Sequence, residues 1–206
     1  SVSSTKSRKK IYENKFEELR KLLGRHFSFS GKVIEGKKMG KQKDEYNKII
    51  SLYIDESNLP LPSHEALQER KVAIFDLLTE NFFRPIIPED YPNVIGPYKL
   101  LIYIKDQLLV FKISNKEDIL IREIILSISP IRKVLKEYKE ICASYYNAVK
   151  RLAPSQIETI DMGRKAIHDE GGKILIDRFT RKAEMDLQTA RRLFTLITAI
   201  YLESKK

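Results

Sequence analysis

The chain has 206 residues, of which 42% are hydrophobic and 32% are charged, and its net charge at pH 7 is +10. A chain of this length can bury a hydrophobic core without the help of disulfides or metals. Its single cysteine excludes an internal disulfide framework, and because no run of about 20 apolar residues exists, the sequence predicts no membrane-spanning helix.

Residues 1–48 differ from the rest of the chain in charge. They contain 14 Lys and Arg against 6 Asp and Glu, so most of the net positive charge lies there. One short amphipathic helix is predicted from Ile11 to Leu23, followed by a flexible linker from Ser28 to Lys43. We interpret residues 1–48 as a basic, flexible tail or as the result of a start site assigned too far upstream, with the natural domain beginning near Met39. Residues 49–206 form a single predicted domain.

The next segment alternates between strand and helix signals. Ile49–Ile54 is rich in β-branched and aromatic residues and predicts a strand. A helix is predicted from His64 to about Asn81, with Ser63 as its N-cap. Four prolines in residues 84–97 predict an ordered or semi-extended loop.

A β-hairpin is the clearest prediction in the middle of the chain. Tyr98–Ile104 and Leu108–Ile113 are apolar runs separated by Lys105, Asp106 and Gln107. This spacing is typical of a hairpin, and without an Asn-Gly pair its turn type is left open. Ile119–Ser127 can add a third strand, which gives a small antiparallel sheet of three to four strands with one buried face.

Helical periodicity replaces the strand signals after Ser129. Ser129 and Pro130 suggest an N-cap with proline in the first turn, and the helix that follows extends to about Leu152. Ser155 and Glu158 have the spacing of a capping box, which predicts the start of the next helix.

This helix has an isoleucine stripe and three glycines. Gly171 and Gly172 can end or loosen it, and the eight-residue spacing of Gly163 and Gly171 is typical of a face that another helix approaches. A last helix is predicted from about Leu187 to Glu203, capped by Asp186. The order of elements indicates an α+β fold in which about four helices pack on the sheet and the C-terminal half is helical.

The residues from about Ile49 to Leu202 resemble an uncharacterised family of alphaproteobacterial proteins (uncharacterised protein family 0262). Pro154–Arg164 is the most specific part of this resemblance, and residues 1–38 have no counterpart, in agreement with a start near Met39. The resemblance implies a bacterial cytoplasmic protein with no known activity, so it transfers no functional residues. The other segments that carry it are Glu69–Leu78, Gly96–Tyr98, Leu126–Glu140 and Thr189–Leu196.

The sequence lacks the common catalytic and cofactor motifs. Gly171-Gly172-Lys173 has no upstream glycine and is followed by Ile174, so it does not match a phosphate-binding loop. The three histidines are far apart in the sequence, and no Cys-x-x-Cys pair exists. We therefore expect no cofactor, no metal and no catalytic residue.

The best candidate ligand site lies on the helix after Ser155. Asp161, Arg164 and His168 have i, i+3 and i+7 spacing, which places them along one helix face, and Glu170 follows. Such a set can bind an anion or move a proton, because histidine titrates near neutral pH. A structural alternative is that Arg164 pairs with Asp161 while His168 packs against a neighbouring helix.

A second candidate is a basic surface for nucleic acid. Lysines and arginines occur on one predicted helix and at the start of the last one, and such residues contact phosphates. Acidic residues are interleaved with them, so an ordinary solvated face is the alternative. The basic residues of this predicted surface are Arg132, Lys133, Lys136, Arg191 and Arg192.

Two classes of function compete. We favour a non-catalytic binding or regulatory module whose partner is RNA, a ribonucleoprotein or another protein. The alternative is a small enzyme or small-molecule anion sensor that uses Asp161, Arg164 and His168. A further possibility is a homodimer formed through an exposed part of the helix at Leu193–Leu202.

Overall fold

The computed structural model describes residues 46–57, 59, 61–62, 64–87 and 95–201. The amphipathic helix and linker predicted before residue 46 and the Ser63 cap lie outside these ranges. The predicted α+β fold is confirmed. Its elements are, in chain order, β1 (Ile49–Ile54), α1 (His64–Thr79), β2 (Phe83–Pro85), β3 (Tyr98–Lys105), β4 (Leu108–Ser114), β5 (Leu120–Ser127), α2 (Arg132–Arg151), α3 (Pro154–Phe179), β6 (Ala183–Met185) and α4 (Leu187–Tyr201).

The main sheet has the strand order β1-β3-β4-β5. Strands β3, β4 and β5 pair antiparallel, as predicted. Strand β1 pairs parallel with β3, so the sheet is mixed. The connection from β1 to β3 passes through α1 and β2, and such a long crossover returns the chain in the same direction.

The β3–β4 hairpin closes through a two-residue turn. Asp106 and Gln107 have φ values of 50° and 64°, both in the left-handed region. Two such residues between antiparallel strands form a type I′ turn, whose twist matches that of the strands. The turn type that the sequence left open is therefore settled without an Asn-Gly pair.

Two very short strands were not predicted. Phe83–Pro85 pairs antiparallel with Ala183–Met185 and forms a separate two-stranded sheet. Three-residue strands are too short to give a periodic signal, and Pro85 argued for a loop. The Pro-rich segment is therefore partly a strand, and β6 interrupts the helical C-terminal half.

The centre of the core is α4, which packs against α1, α2 and α3. Leu193, Phe194, Leu196, Ile197 and Ile200 are all 0% exposed. The apolar residues from Leu193 to Tyr201 are buried inside the protein, and a homodimer stays a prediction. None of the described helices combines the length and apolar character needed to cross a membrane.

Two of the predicted helix starts are wrong. Helix α2 begins after the buried residues Ile128 and Ile131, whose backbones form a turn containing Ser129 and Pro130. Because both isoleucines are held in the core, the helix starts two residues beyond the proline.

Helix α3 begins at Pro154, with Ala153 as its N-cap and no side-chain cap. Proline suits the first helical position, because its missing N–H would have no helical partner there. Ser155 therefore lies inside the first turn, and it does not form the predicted capping box with Glu158. The cap of α4 is confirmed, since the Asp186 carboxylate accepts the N–H of Thr189 at 2.7 Å.

Gly171 and Gly172 do not end α3, which continues to Phe179. A Cβ at Gly171 would lie 2.5 Å from the Phe194 ring, and one at Gly172 would lie 3.0 Å from Arg191. These glycines let α4 approach the backbone of α3. The predicted helix approach is thus confirmed at Gly171, whereas a Cβ at Gly163 would make only an ordinary contact with Ile141.

We expect Gly171→Ala to lower the free energy of unfolding by about 1–3 kcal/mol, because the added methyl overlaps Phe194 in a full core. Gly163→Ala is the matched control on the same helix. It should raise the free energy of unfolding by about 0.5–1 kcal/mol, since alanine favours the helix and space is available. Urea unfolding of both variants measures the difference, and equal stabilities would contradict the close α3–α4 contact.

Candidate functional site

Asp161 and Arg164 pair with each other on α3. The Nε and Nη2 atoms of Arg164 donate to Asp161 Oδ1 at 2.9 and 2.6 Å, and Lys165 Nζ lies 2.8 Å from Oδ2. Burial raises the pKa of Asp161, but the hydrogen bonds from Lys165 and Arg164 outweigh it, so the net pKa is lowered. The Arg164 guanidinium also lies 5.2 Å from the centre of the Tyr145 ring. The contact between Arg164 and Tyr145 links α3 to α2.

The side chain of His168, on α3, lies where α3 packs against α2 and α4. Its Nε2 atom is 2.8 Å from the carbonyl oxygen of Arg191 and 3.0 Å from Thr195 Oγ1, while Arg191 Nε lies 3.3 Å from Nδ1. A carbonyl only accepts, so Nε2 carries the proton and Nδ1 accepts from Arg191. The ring stacks on Tyr138, with 4.9 Å between centroids. Both nitrogens therefore take part in helix–helix contacts.

The surroundings of His168 keep it neutral. Burial lowers its pKa to about 4, and the charges of Arg191 and Arg164 act in the same direction. The hydrogen bond to the Arg191 carbonyl and the nearby carboxylate of Asp169 oppose this shift only in part. At neutral pH the ring has no acidic proton to transfer. Glu170, two residues further along α3, is exposed.

The five residues of the predicted basic surface differ in their contacts. Arg132 donates to the Gln107 side chain in the β3–β4 turn at 3.0 Å. Arg191 pairs with Asp169 at 3.1 Å, and Arg192 pairs with Glu80 at 2.8 Å. Lys133 and Lys136 are both exposed, and Lys133 Nζ lies 3.6 Å from Glu137 Oε1. The three arginines thus bind three separate parts of the protein.

A cleft of about 210 Å³ lies where α1, α2 and α4 meet, and the sequence did not predict it. Its lining mixes small apolar residues with hydroxyl, carboxylate and aromatic groups. The lining residues are Glu69, Val72, Ala73 and Asp76 from α1, Tyr138, Lys139, Cys142, Ala143 and Tyr146 from α2, and Thr195, Thr198 and Ala199 from α4.

The cleft exists because small side chains occupy the point where the helices meet. Ala73, Ala143 and Ala199 each leave room that a larger residue would fill. His168 supports one wall, because it stacks on Tyr138 and contacts the Thr195 hydroxyl, and both of these residues line the cleft. The only local sequence feature that points to the cleft is the interruption of the apolar run of α4 by Thr195 and Thr198. The lining residues from α1 and α2 have no fixed sequence spacing that connects them to these threonines.

Within the described residues, no three His, Cys, Asp or Glu side chains are arranged to hold a metal ion. The cleft offers hydrogen-bonding and apolar groups instead. Its chemistry suits a bound organic molecule.

We expect acid to destabilise the fold through His168. Its pKa is about 4 in the folded protein against 6.5 when unperturbed, so the unfolded chain takes up a proton first as the pH falls. This stability is present above pH 6.5 and decreases toward pH 4, by about 2 kcal/mol between pH 7 and pH 5. His168→Gln should remove this part of the pH dependence. Urea unfolding at both pH values tests it, and identical pH slopes for the two proteins would refute the assignment.

Comparison with known proteins places the chain in a family. Residues 46–203 match the model of an uncharacterised protein family (UPF0262). A UPF0262 protein from Dinoroseobacter shibae is 49% identical over 153 residues, which are 74% of this chain and 96% of the relative. A UPF0262 protein from Ruegeria pomeroyi is 50% identical over 155 residues, covering 75% of this chain and 96% of the relative.

A UPF0262 protein from Cereibacter sphaeroides is likewise 50% identical over 155 residues, which make up 98% of that protein. No solved structure matches the chain significantly. The matched region includes every helix that lines the cleft, and the chain belongs to the uncharacterised protein family UPF0262.

Proposed function

We propose that this protein is a non-catalytic binding module of the cytoplasm whose ligand site is the cleft between α1, α2 and α4. The observation that carries the proposal is the cleft itself. Ligand sites are typically concave and mostly apolar, with a few polar groups that converge on the bound molecule. Val72, Ala73, Ala143 and Ala199 supply the apolar part of this lining.

The size of the cleft favours a small molecule. A dry cavity of about 150 Å³ accommodates benzene, whereas sites for drug-sized molecules usually begin near about 300 Å³. A cleft of about 210 Å³ lies between these values. It suits a ligand somewhat larger than benzene and is too small for a peptide helix or an oligonucleotide.

A binding role is favoured over the alternative of a small enzyme or anion sensor. Arg164 and Asp161 satisfy each other, so an anion would have to compete with a carboxylate already at 2.6 Å. His168 is neutral and bonded at both nitrogens, so it is a poor proton donor at pH 7. The role of His168 in this proposal is to support the cleft wall.

The proposal is tested by filling the cleft. Ala143 is exposed at its edge on α2, and Ala143→Phe should occupy the space without adding a residue to the core. Ala166→Phe, at an exposed position on α3 outside the lining, is the matched control. We expect fragments detected by NMR shifts of cleft residues to bind the Ala143→Phe variant at least about tenfold more weakly. Equal binding by both variants, or shifts located elsewhere, would exclude the cleft as the site.

RNA binding through the predicted basic surface is the competing function. It depends mainly on Lys133 and Lys136, because Arg132, Arg191 and Arg192 have close intramolecular partners, whereas Lys133 is exposed and lies 3.6 Å from Glu137. Phosphate contacts release counterions, so each lost contact lowers both affinity and salt dependence.

We expect Lys133→Glu/Lys136→Glu to change the affinity of the full chain for short RNA by less than about twofold. The control is a matched charge reversal at exposed lysines elsewhere, Lys105→Glu/Lys116→Glu. Fluorescence anisotropy at two salt concentrations measures both. A selective loss of tenfold or more in the first variant would favour RNA as the partner instead.

A further inference from the structure

We infer that two copies of this protein pair through the free edge of β5, so that their main sheets join into one continuous sheet. The inference goes beyond the proposed function, because β5 contributes no residue to the cleft. Strands β1 and β5 are the two edges of the main sheet. They differ in whether their outward-facing backbone groups are available to another strand.

Every second residue of β5 directs its backbone groups away from β4. The N–H of Ile128 donates to the carbonyl of Gln107 at 3.1 Å, so these two residues form a hydrogen-bonded pair. Because hydrogen-bonded and non-hydrogen-bonded pairs alternate along an antiparallel ladder, the odd-numbered residues of β5 direct their N–H and C=O groups to the free edge. These residues are Glu123, Ile125 and Ser127. Within the described part of the chain, nothing hydrogen-bonds to these backbone groups.

The other edge of the sheet is closed by a side chain. Asn81 Oδ1 accepts the N–H of Ile49 at 2.7 Å, and Asn81 Nδ2 donates to the Ile49 carbonyl at 3.0 Å, as a neighbouring strand would. The register of β1 also shifts between Ile49 and Ser51, and such irregularities hinder the pairing of an edge strand. Strand β5 contains neither lysine nor proline, which commonly protect an edge, and the irregularity in its own register lies at its start, opposite Ser114.

Apolar side chains accompany the free edge. Ile125 is paired with Val110, and Val110 is paired with Tyr103, so these residues form a row across the sheet that ends at β5. The row lies on the face of the sheet away from the helices, and Val110 is buried there without belonging to the hydrophobic core. Ile125 and its diagonal neighbour Leu108 are 48% and 38% exposed. A contiguous exposed apolar surface of this kind marks an interaction site.

A second copy of β5 matches this edge in one antiparallel register. In a two-fold dimer, a contact of one residue with another is repeated with the two copies exchanged. With the axis at Ile125, Ile125 pairs with Ile125 of the second copy, and Glu123 pairs with Ser127 of the second copy. Each free N–H then meets a free carbonyl, and the apolar row continues across the axis. An axis at Glu123 would place two carboxylates opposite each other, which is unfavourable.

The contact is short, so the dimer should be weak and reversible. A pair of single edge strands buries less than the roughly 800 Å² per partner of a standard interface. We expect a dissociation constant of about 10–100 µM, so the average mass of the full chain should rise from monomer toward dimer between about 5 and 500 µM. Sedimentation velocity measures this change.

Substitutions at Ile125 separate the backbone from the side chain. Ile125→Pro removes an N–H at the free edge without removing a hydrogen bond to β4, and it should weaken association at least about tenfold. Ile125→Ala keeps this N–H and should weaken association less. Ile125→Lys places two positive charges opposite each other and should also prevent pairing. Its control is Tyr53→Lys at a 65% exposed position of β1, which should change nothing.

A cross-link tests the register. The Cα atoms of a hydrogen-bonded antiparallel pair lie about 5.5 Å apart, which is within the range that a disulfide spans. Ile125→Cys should therefore form a disulfide-linked dimer under mild oxidation, whereas Tyr53→Cys should not.

The inference is overturned if the full chain stays monomeric up to about 500 µM. It is also overturned if Ile125→Lys associates as strongly as the unchanged protein, and this variant decides the question if thermal unfolding shows that Ile125→Pro does not fold. A dimer that cross-links through Tyr53→Cys and not through Ile125→Cys would place the interface elsewhere. A monomer whose Glu123, Ile125 and Ser127 amides resist hydrogen exchange would mean that another segment of the same chain covers the edge.

Discussion

The contact between Phe194 and the backbone of α3 at Gly171 determines how closely α3 and α4 pack. A side chain on Gly171 would overlap the ring, so the helices approach as they do only because the residue is glycine. At this distance His168 reaches the carbonyl of Arg191, and Tyr138 stacks on the other side of the histidine. The position of α4 relative to α2 and α3 thus depends on the contact between the Phe194 ring and Gly171.

Helix α4 brings two threonines into the interior of the protein, and their hydroxyls form hydrogen bonds within the same helix. A threonine hydroxyl inside a core is costly unless it is hydrogen-bonded. Thr195 and Thr198 bond to carbonyls one turn earlier in the same helix, which satisfies their protons without a partner from another element. The two threonines consequently present hydroxyl oxygens, and not hydroxyl protons, to the cleft. The polarity of the proposed site therefore follows from the way the core accommodates two polar residues.

The parts of the fold that local pattern determines were predictable. Strands β3 to β5 are apolar runs rich in β-branched and aromatic residues, and α2 and α4 have clear amphipathic periodicity, so their positions followed from the sequence. The parallel partner of β1 and the pairing of β2 with β6 depend on residues far apart in the chain, which local patterns do not connect. The helix starts at Arg132 and Pro154 were missed for a related reason. Burial of Ile128 and Ile131 and the geometry of proline outweighed the capping signals.

The candidate site, like the fold, was predictable only where local sequence spacing determines it. Spacing alone suggested the Asp161–Arg164 pair, and it also placed His168 on the same face. The contact of His168 with α4 depends on Arg191 and Thr195, which lie 23 and 27 residues away, and burial by the neighbouring helices is the main cause of its lowered pKa. The cleft depends on small residues from three helices, and no single segment of sequence carries that pattern.

The central position of α4 also affects how the protein is made. This helix follows every other described element in the chain, yet it supplies the middle of the core. On the ribosome, about 75 residues are added after the end of β5 before α4 is complete. At ~5–20 residues per second this delay lasts roughly 4–15 s. The native core can therefore form only late in translation, and until then the faces of α1, α2 and α3 that pack against α4 lack that partner.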